Sequence, residues 1–324
     1  MSSHIIGIDV GGTNVKAGLF NTDGDIIEWK KTPSLIHKGK QAFLEKISRI
    51  VINFEKKTPS IYPVLGIVVP GIIDKKRECV IHSPNLPGWD NFPIKHFLNE
   101  KLSMDIKLEN DANGAALGEL WKGAGKDLSN FMLLTLGTGL GSGLVLDKKL
   151  WTGEDGKAAE IGHTKIVPDG IRCDCGAKGC LEKYFSSSAI ERIAKNALKS
   201  RKKTKLSWQP LTPKTVYEAA RNGDAVALEI YREISRYLGI AIANVINLLG
   251  IKHFILSGGI SNAANLFIPF LEYEIGKNLF YPFSKDFTIE KGKLGNRAGA
   301  TGAAYLALKS VSPRRTEKVH KNNN

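Results

Sequence analysis

Apolar residues at the start of this chain come in short runs punctuated by glycine. Ile5-Ile6-Gly7-Ile8-Asp9-Val10 leads into Gly11-Gly12-Thr13 and then a second apolar run over 15–20, a pattern that predicts strand, tight turn, strand. The same order returns about 125 residues later: an apolar run over 131–136, Gly137-Thr138-Gly139-Leu140-Gly141, then Leu144-Val145-Leu146. Two such openings suggest two related α/β halves. Between them, Phe43, Ile47, Ile50, Val51 and Phe54 recur at helical spacing and predict an amphipathic helix. Short strands are expected at 64–69 and 106–108, ending in Pro70-Gly71 and Glu109-Asn110-Asp111, and a helix over 112–122 stopping near Gly123. The second half reads as helix-rich, with helices after Leu181, after Pro213, over about 224–249 and near Asn262. A strand at 253–256 runs into Ser257-Gly258-Gly259. Alanine and glycine fill 298–300 and 302–304, so the helix expected there must approach another element closely.

Length and composition add bounds. A chain of 324 residues is long enough for two ordinary domains. No apolar run reaches the ~18 residues of a membrane span; the longest, 238–251, is interrupted by Asn244 and Asn247 and reads as a buried helix. A net charge of +14 invites a nucleic-acid partner. Its distribution argues against one, because the basic residues gather in 199–205 and in 313–324, which read as a solvated loop and a disordered tail. Anionic substrates such as nucleotides also suit a positive surface. Met1-Ser2-Ser3-His4 runs straight into an apolar strand without a secretory leader, so a cytoplasmic protein is expected.

That compartment changes the reading of the cysteines. Three of the four fall within eight residues, Cys173, Cys175 and Cys180, shortly after Glu160-Ile161-Gly162-His163. Three is an odd number for disulfides, and clustered thiols in a reducing compartment more often bind metal. His163 with the three cysteines makes a closed Cys3His set suited to structural Zn2+, which holds a fold together rather than activating water. Glu160 and Glu182 flank the ligands and are left to point elsewhere. Cys79 stands alone and reads as a small buried apolar residue.

No Walker-type loop occurs, and Gly137–Gly143 lacks the spacing of a dinucleotide fingerprint. Instead three glycine turns follow strands, at 11–13, 137–141 and 257–259. Such turns let backbone N–H groups approach phosphate, although hairpins need glycine in any case. Thr13 and Thr138 add hydroxyls. Asp9 is placed to hold Mg2+ through water or to make a local turn bond. Asp111 is placed either to cap the helix that follows or to act as a general base at the carboxyl end of a strand.

Together these segments resemble the ROK family of bacterial sugar kinases and related repressors. The resemblance rests on Asp9-x-Gly-Gly-Thr, Glu-Asn-Asp-Ala-Asn at 109–113, Leu-Gly-Thr-Gly at 136–139, Glu-x-Gly-His at 160–163 and Cys-x-Cys-Gly-x-x-Gly-Cys-x-Glu at 173–182. It covers about residues 4–309, and the stretch 115–125 is most similar to the glucokinases of that family. The resemblance implies an α/β, two-domain actin/hexokinase-like (ribonuclease H-like) fold with an interdomain cleft. The expected division is a small domain at 1–116 onto which helix 297–311 packs back, a large domain at 117–296 carrying the zinc loop, and a disordered basic tail at 312–324. It implies that Asp111 is the catalytic base and that Gly71, Asn110, Asp111, Glu160, His163 and Glu182 contact the sugar. His163 would bind zinc through one nitrogen and a hydroxyl through the other. ATP phosphates would lie on Gly11, Gly12, Thr13, Gly137, Thr138 and Gly139, with Mg2+ near Asp9 and adenosine bordered by Gly258 and Gly259. Ala159 departs from the pattern, since the family often has glycine there.

The expected activity is ATP-dependent phosphorylation of a hexose at the 6-hydroxyl, with glucose preferred. An N-acetylhexosamine or fructose kinase is the alternative within the class, and a polyphosphate donor is less expected with the cysteine loop present. A sugar-responsive repressor is disfavoured, because the first core strand begins at about His4 and leaves no room before it for a DNA-binding domain. The resemblance also implies association into homo-oligomers.

Overall fold

The computed structural model describes residues 3–58, 60–83, 86–200, 203–207, 211–280 and 286–311. The basic tail, and Arg201 and Lys202 of the basic loop, lie outside the described residues. The chain divides into two compact units. One takes Met1–Asp127, Lys148–Ala158 and Lys293–Asn324; the other takes Leu128–Asp147 and Ala159–Gly292. The first therefore runs past 116, the boundary expected from the sequence, because the helix that starts at Asp111 continues without a break to Lys122.

The first unit is built on a mixed sheet of β1 (His4–Val10), β2 (Asn14–Asn21), β3 (Ile26–Pro33), β4 (Ile61–Val69) and β7 (Asp105–Asn110), in the order β3-β2-β1-β4-β7. β1, β2 and β3 pair antiparallel; β4 pairs parallel with β1 and β7. Helix α1 (Lys40–Lys57) joins β3 to β4. A small ribbon of β5 (Ile72–Ile73) and β6 (Val80–His82), then α2 (Ile94–Lys101), lead to β7, which passes directly into α3 (Asp111–Lys122). The period of two along β1 sorts its side chains by face. Ile6, Ile8 and Val10 join the core that contains Phe43, Ile47, Ile50, Val51 and Phe54 of α1, all five of them buried.

Ile5 joins a second core with Phe20, Val64, Ala304 and Ala307. That other face receives α8 (Ala298–Ser310). A Cβ on Gly66 of β4 would collide with the carbonyl of Ala303, and one on Gly302 with the carbonyl of Gly114 in α3. The small residues at 298–304 thus let a helix backbone lie directly on a sheet and on a second helix.

The second unit repeats the plan. β8 (Phe131–Leu136) and β9 (Leu140–Leu146) form an antiparallel hairpin, and parallel strands β11 (His253–Ser257) and β12 (Thr288–Lys291) extend it in the order β9-β8-β11-β12. The short strand β10 (Lys149–Trp151) falls in the first unit. Helices α4 (Ser187–Lys199), α5 (Pro213–Arg221), α6 (Ala225–Leu249) and α7 (Ala264–Asn278) enclose a core containing Phe185, Tyr231, Leu238, Phe254 and Phe267. Directly after Leu181 comes only a 3-10 turn, Leu181–Lys183; the α-helix starts at Ser187, capped by Ser186, whose Oγ accepts from the Ala189 N–H. Among the described residues no helix is long and apolar enough to cross a membrane.

Candidate functional site

In the first unit the candidate residues gather at the carboxyl ends of three neighbouring strands. Asp9 pairs in register with Val68, and Val68 with Glu109. Just beyond that level β1 opens into Gly11-Gly12-Thr13, β4 into Pro70-Gly71 and β7 into Asp111. The first turn is closed by the Gly11 N–H donating to the Asn14 carbonyl at 2.9 Å. Buried Ser34 holds it from below: its Oγ donates to the Gly12 carbonyl at 2.7 Å and its N–H to the Thr13 carbonyl at 3.0 Å. Gly12 and Thr13 stay exposed. Asp9 Oδ2 accepts from Nζ of Lys16, its cross-strand partner, at 2.8 Å, in place of the local turn bond that the sequence alone left open.

The cap of α3 is Asn110. Its Oδ1 accepts from the N–H groups of Ala112 at 2.8 Å and Asn113 at 3.3 Å, and its Nδ2 donates to the Gly71 carbonyl at 2.8 Å. One amide therefore satisfies the helix end and ties down the Pro70-Gly71 turn. Gly71 sits at φ 113, in the region that favours glycine. Asp111 is the first residue of the helix, and its Oδ1 accepts from the Ala112 N–H at 2.9 Å. Beneath this end Glu109 is buried, with Oε1 accepting from Asn110 N–H at 2.9 Å and Asn113 Nδ2 at 3.1 Å, and lying 3.0 Å from Arg77 Nη1. Burial pushes the Glu109 carboxyl above the usual range, and the guanidinium opposes this only in part.

In the second unit the Gly137-Thr138-Gly139 turn is closed by the Gly137 N–H donating to the Gly139 carbonyl at 3.0 Å. Ser187 donates to the Gly137 carbonyl through its N–H at 2.9 Å and its Oγ at 3.0 Å. Glu182 Oε2 accepts from the Leu140 N–H at 3.0 Å. Thr138 is exposed at the tip. Gly258, at φ 86, lies where a Cβ would strike the backbone of Leu136, so the third glycine turn is adjacent to the second. Glu160 and His163 belong to the 3-10 turn Ile161–His163 and its cap. Burial of the Glu160 carboxyl raises its pKa, Glu182 adding to the effect and His163 opposing it.

The ligand atoms of His163, Cys173, Cys175 and Cys180 all lie within 4.8 Å of one another. Cys173 Sγ is 3.8 Å from His163 Nδ1, and the Sγ atoms of Cys175 and Cys180 are 3.5 Å apart. A tetrahedron with zinc-ligand bonds of about 2.0–2.3 Å has edges of about 3.3–3.8 Å, which these two separations match, and the donor chemistry of the four residues suits that ion. All four cysteines are free thiols. Burial pushes the Cys173 thiol up to about 11, while the Ala177 N–H holds Cys175 below the usual thiol range. Lys165 Nζ lies 3.2 Å from Cys180 Sγ, a cation placed against the thiols. The ring presents Nδ1 to the cluster, leaving Nε2 for other contacts.

Reading the sequence did not single out Ser34, Ser187, Arg77 or Lys165. Each acts on a group distant in the chain or on backbone, and none belongs to a periodic or spaced pattern.

The ROK family description matches residues 5–310. The chain belongs to the ROK family. It is 34% identical over 310 residues to a glucokinase of Halalkalibacterium halodurans, covering 93% of this chain and 94% of the relative. It is 35% identical over 312 residues to a glucokinase of Thermotoga maritima, covering 95% and 98%. A crystal structure of a ROK family glucokinase from Streptomyces griseus, in complex with glucose and AMPPNP, superposes with a TM-score of 0.81 at 32% identity, covering 95% of this chain and 100% of that one. The mixed sheets and helices described above are thus the actin-like sugar-kinase fold of these relatives.

Proposed function

We infer that this protein transfers the γ-phosphoryl group of ATP to the 6-hydroxyl of a hexose, with glucose as the preferred acceptor. The observation that carries this reading is the division of labour at the end of β7. Asn110 is the helix cap and accepts from both the Ala112 and Asn113 N–H groups. Asp111, which only shares the Ala112 N–H through Oδ1, therefore keeps a carboxylate at the carboxyl end of a strand whose main work is not capping. Its role is to accept the proton of the attacking hydroxyl. Gly71, Asn110, Glu160, His163 and Glu182 position the sugar. Gly11 to Thr13 and Gly137 to Gly139 carry the phosphates, and Gly258 and Gly259 border the nucleoside. Asp9, a carboxylate beside a phosphate turn whose Oδ2 also pairs with Lys16, would hold the Mg2+ that supplies charge neutralisation at the phosphates when bound. His163, Cys173, Cys175 and Cys180 would hold a structural Zn2+, which would fix the segment that presents the flanking glutamates.

The relatives named as glucokinases, and the glucose and AMPPNP bound in the Streptomyces griseus enzyme, support glucose and ATP as the pair. The reading further places the enzyme in the cytoplasm, where thiols stay reduced, acting on free sugar without membrane or nucleic acid and as an assembly of identical chains. ADP release measured across a panel of hexoses tests it, with glucose expected first and mannose, differing at carbon 2, next. Higher catalytic efficiency with an N-acetylhexosamine would keep the kinase and overturn the glucose assignment. No ADP release with any hexose would overturn the kinase.

A further inference from the structure

The eight residues Cys180–Ser187 grip the Gly137–Leu140 turn at both ends. At its entry, Ser187 donates two hydrogen bonds to the Gly137 carbonyl; at its exit, the Leu140 N–H donates to Glu182 Oε2 at 3.0 Å. Gly139 is packed so closely under the same carboxylate that a Cβ there would strike Oε2. The gripping segment is itself fixed. Cys180 and Leu181 have no exposed surface, Cys180 pairs with Lys165 as an isolated bridge, and the Leu181 N–H donates to the Thr164 carbonyl at 3.0 Å.

We propose that Glu182 is a positioning residue for the nucleotide side of the site: it hangs the phosphate turn on the cysteine loop, so that nucleotide affinity depends on a residue otherwise expected to serve only the sugar. A carboxylate has two oxygens. Oε2 is committed to the Leu140 N–H, and Oε1 is the one a sugar hydroxyl would meet. The same side chain therefore acts on both substrates, on one by contact and on the other through the backbone of the turn. The proposal rests on the kinase reading given above.

Two conservative variants separate reach from charge. Glu182→Asp keeps the charge but withdraws the carboxylate by one methylene, beyond the Leu140 N–H. Glu182→Gln keeps the reach and an accepting oxygen but loses the charge. AMPPNP binding is measured by calorimetry on the full chain without sugar, and glucose binding separately. Losing a hydrogen bond to a charged acceptor predicts AMPPNP binding weaker by about tenfold or more in Glu182→Asp. Glu182→Gln should bind AMPPNP within about threefold of wild type and lose glucose affinity, since a neutral amide is the weaker acceptor. Wild-type AMPPNP binding in Glu182→Asp, or equal losses in both variants, would overturn the proposal and leave the kinase reading standing. Failure of the wild-type chain itself to bind AMPPNP would overturn the kinase reading, and the proposal with it.

Discussion

At the scale of single residues, the most consequential assignment is which of two adjacent side chains serves the helix. Asn110 carries most of that work, accepting from two N–H groups where Asp111 shares one, and its other amide atom donates to Gly71. Asp111→Asn should therefore lower kcat by at least about 10²-fold with little change in melting temperature. Near-normal turnover would show that Asp111 contributes only to the helix end. Ala159 offers a contrasting case. It sits at φ 67, where L residues pay about 1–2 kcal/mol, and its carbonyl accepts from Ser142 Oγ, which holds it there. Ala159→Gly relieves that cost against the added freedom of an unfolded glycine, for an expected net gain of about 0.5–1 kcal/mol. Thermal unfolding checks this; a lower melting temperature would contradict it. The departure at 159 was visible in the sequence, but the backbone angle that gives it a cost was not.

At the scale of elements, what could be read in advance divides by how each element is anchored. Phe43, Ile47, Ile50, Val51 and Phe54 all face one core, so their spacing alone gave α1. β3 and β12 went unread because edge strands carry little apolar alternation: β12 is Thr-Ile-Glu-Lys with no residue fully buried, and β3 has none either. α2 buries only Ile94 and Leu98, too few to set a period. The cysteine loop was legible because metal ligation requires particular residue types at close quarters, whereas the Ser34 and Ser187 contacts to the glycine turns require only that the chain return. For that loop, elemental analysis should find about one zinc per chain. Cys175→Ala should lose the metal and, with it, glucose affinity, as Glu160 and Glu182 lose their support. Metal-free protein with normal glucose binding would refute the link.

At the scale of the whole molecule, two glycine turns predict a repeated strand–turn–strand opening in two related halves; both units show it, and each adds parallel strands that the turns alone do not announce. The stability of the whole carries the signature of one buried acid. Glu109 has its folded pKa raised, so it binds its proton more tightly folded than unfolded. It therefore adds stability below the ordinary glutamate value of about 4.3, and that contribution is lost as pH rises through the raised value. Glu109→Gln removes the titration and leaves Arg77 without its counter-charge at every pH. The melting temperature of wild type relative to the variant should thus fall as pH is raised from about 4 toward neutrality. A difference independent of pH would show that the carboxyl titrates at its ordinary value.

α8 has a consequence for how the protein is made. The first unit opens with β1 at His4, yet the helix lying on β1 and β4 ends only at Ser310. A ribosome must translate past Ser310, beyond every segment of the second unit, before that face of the first sheet can be covered. The second unit, complete by Gly292, has all its segments available earlier. Synthesis order and completion order are therefore reversed: the sheet made first waits for the helix made last, and until then one side of its strands is open to a chaperone.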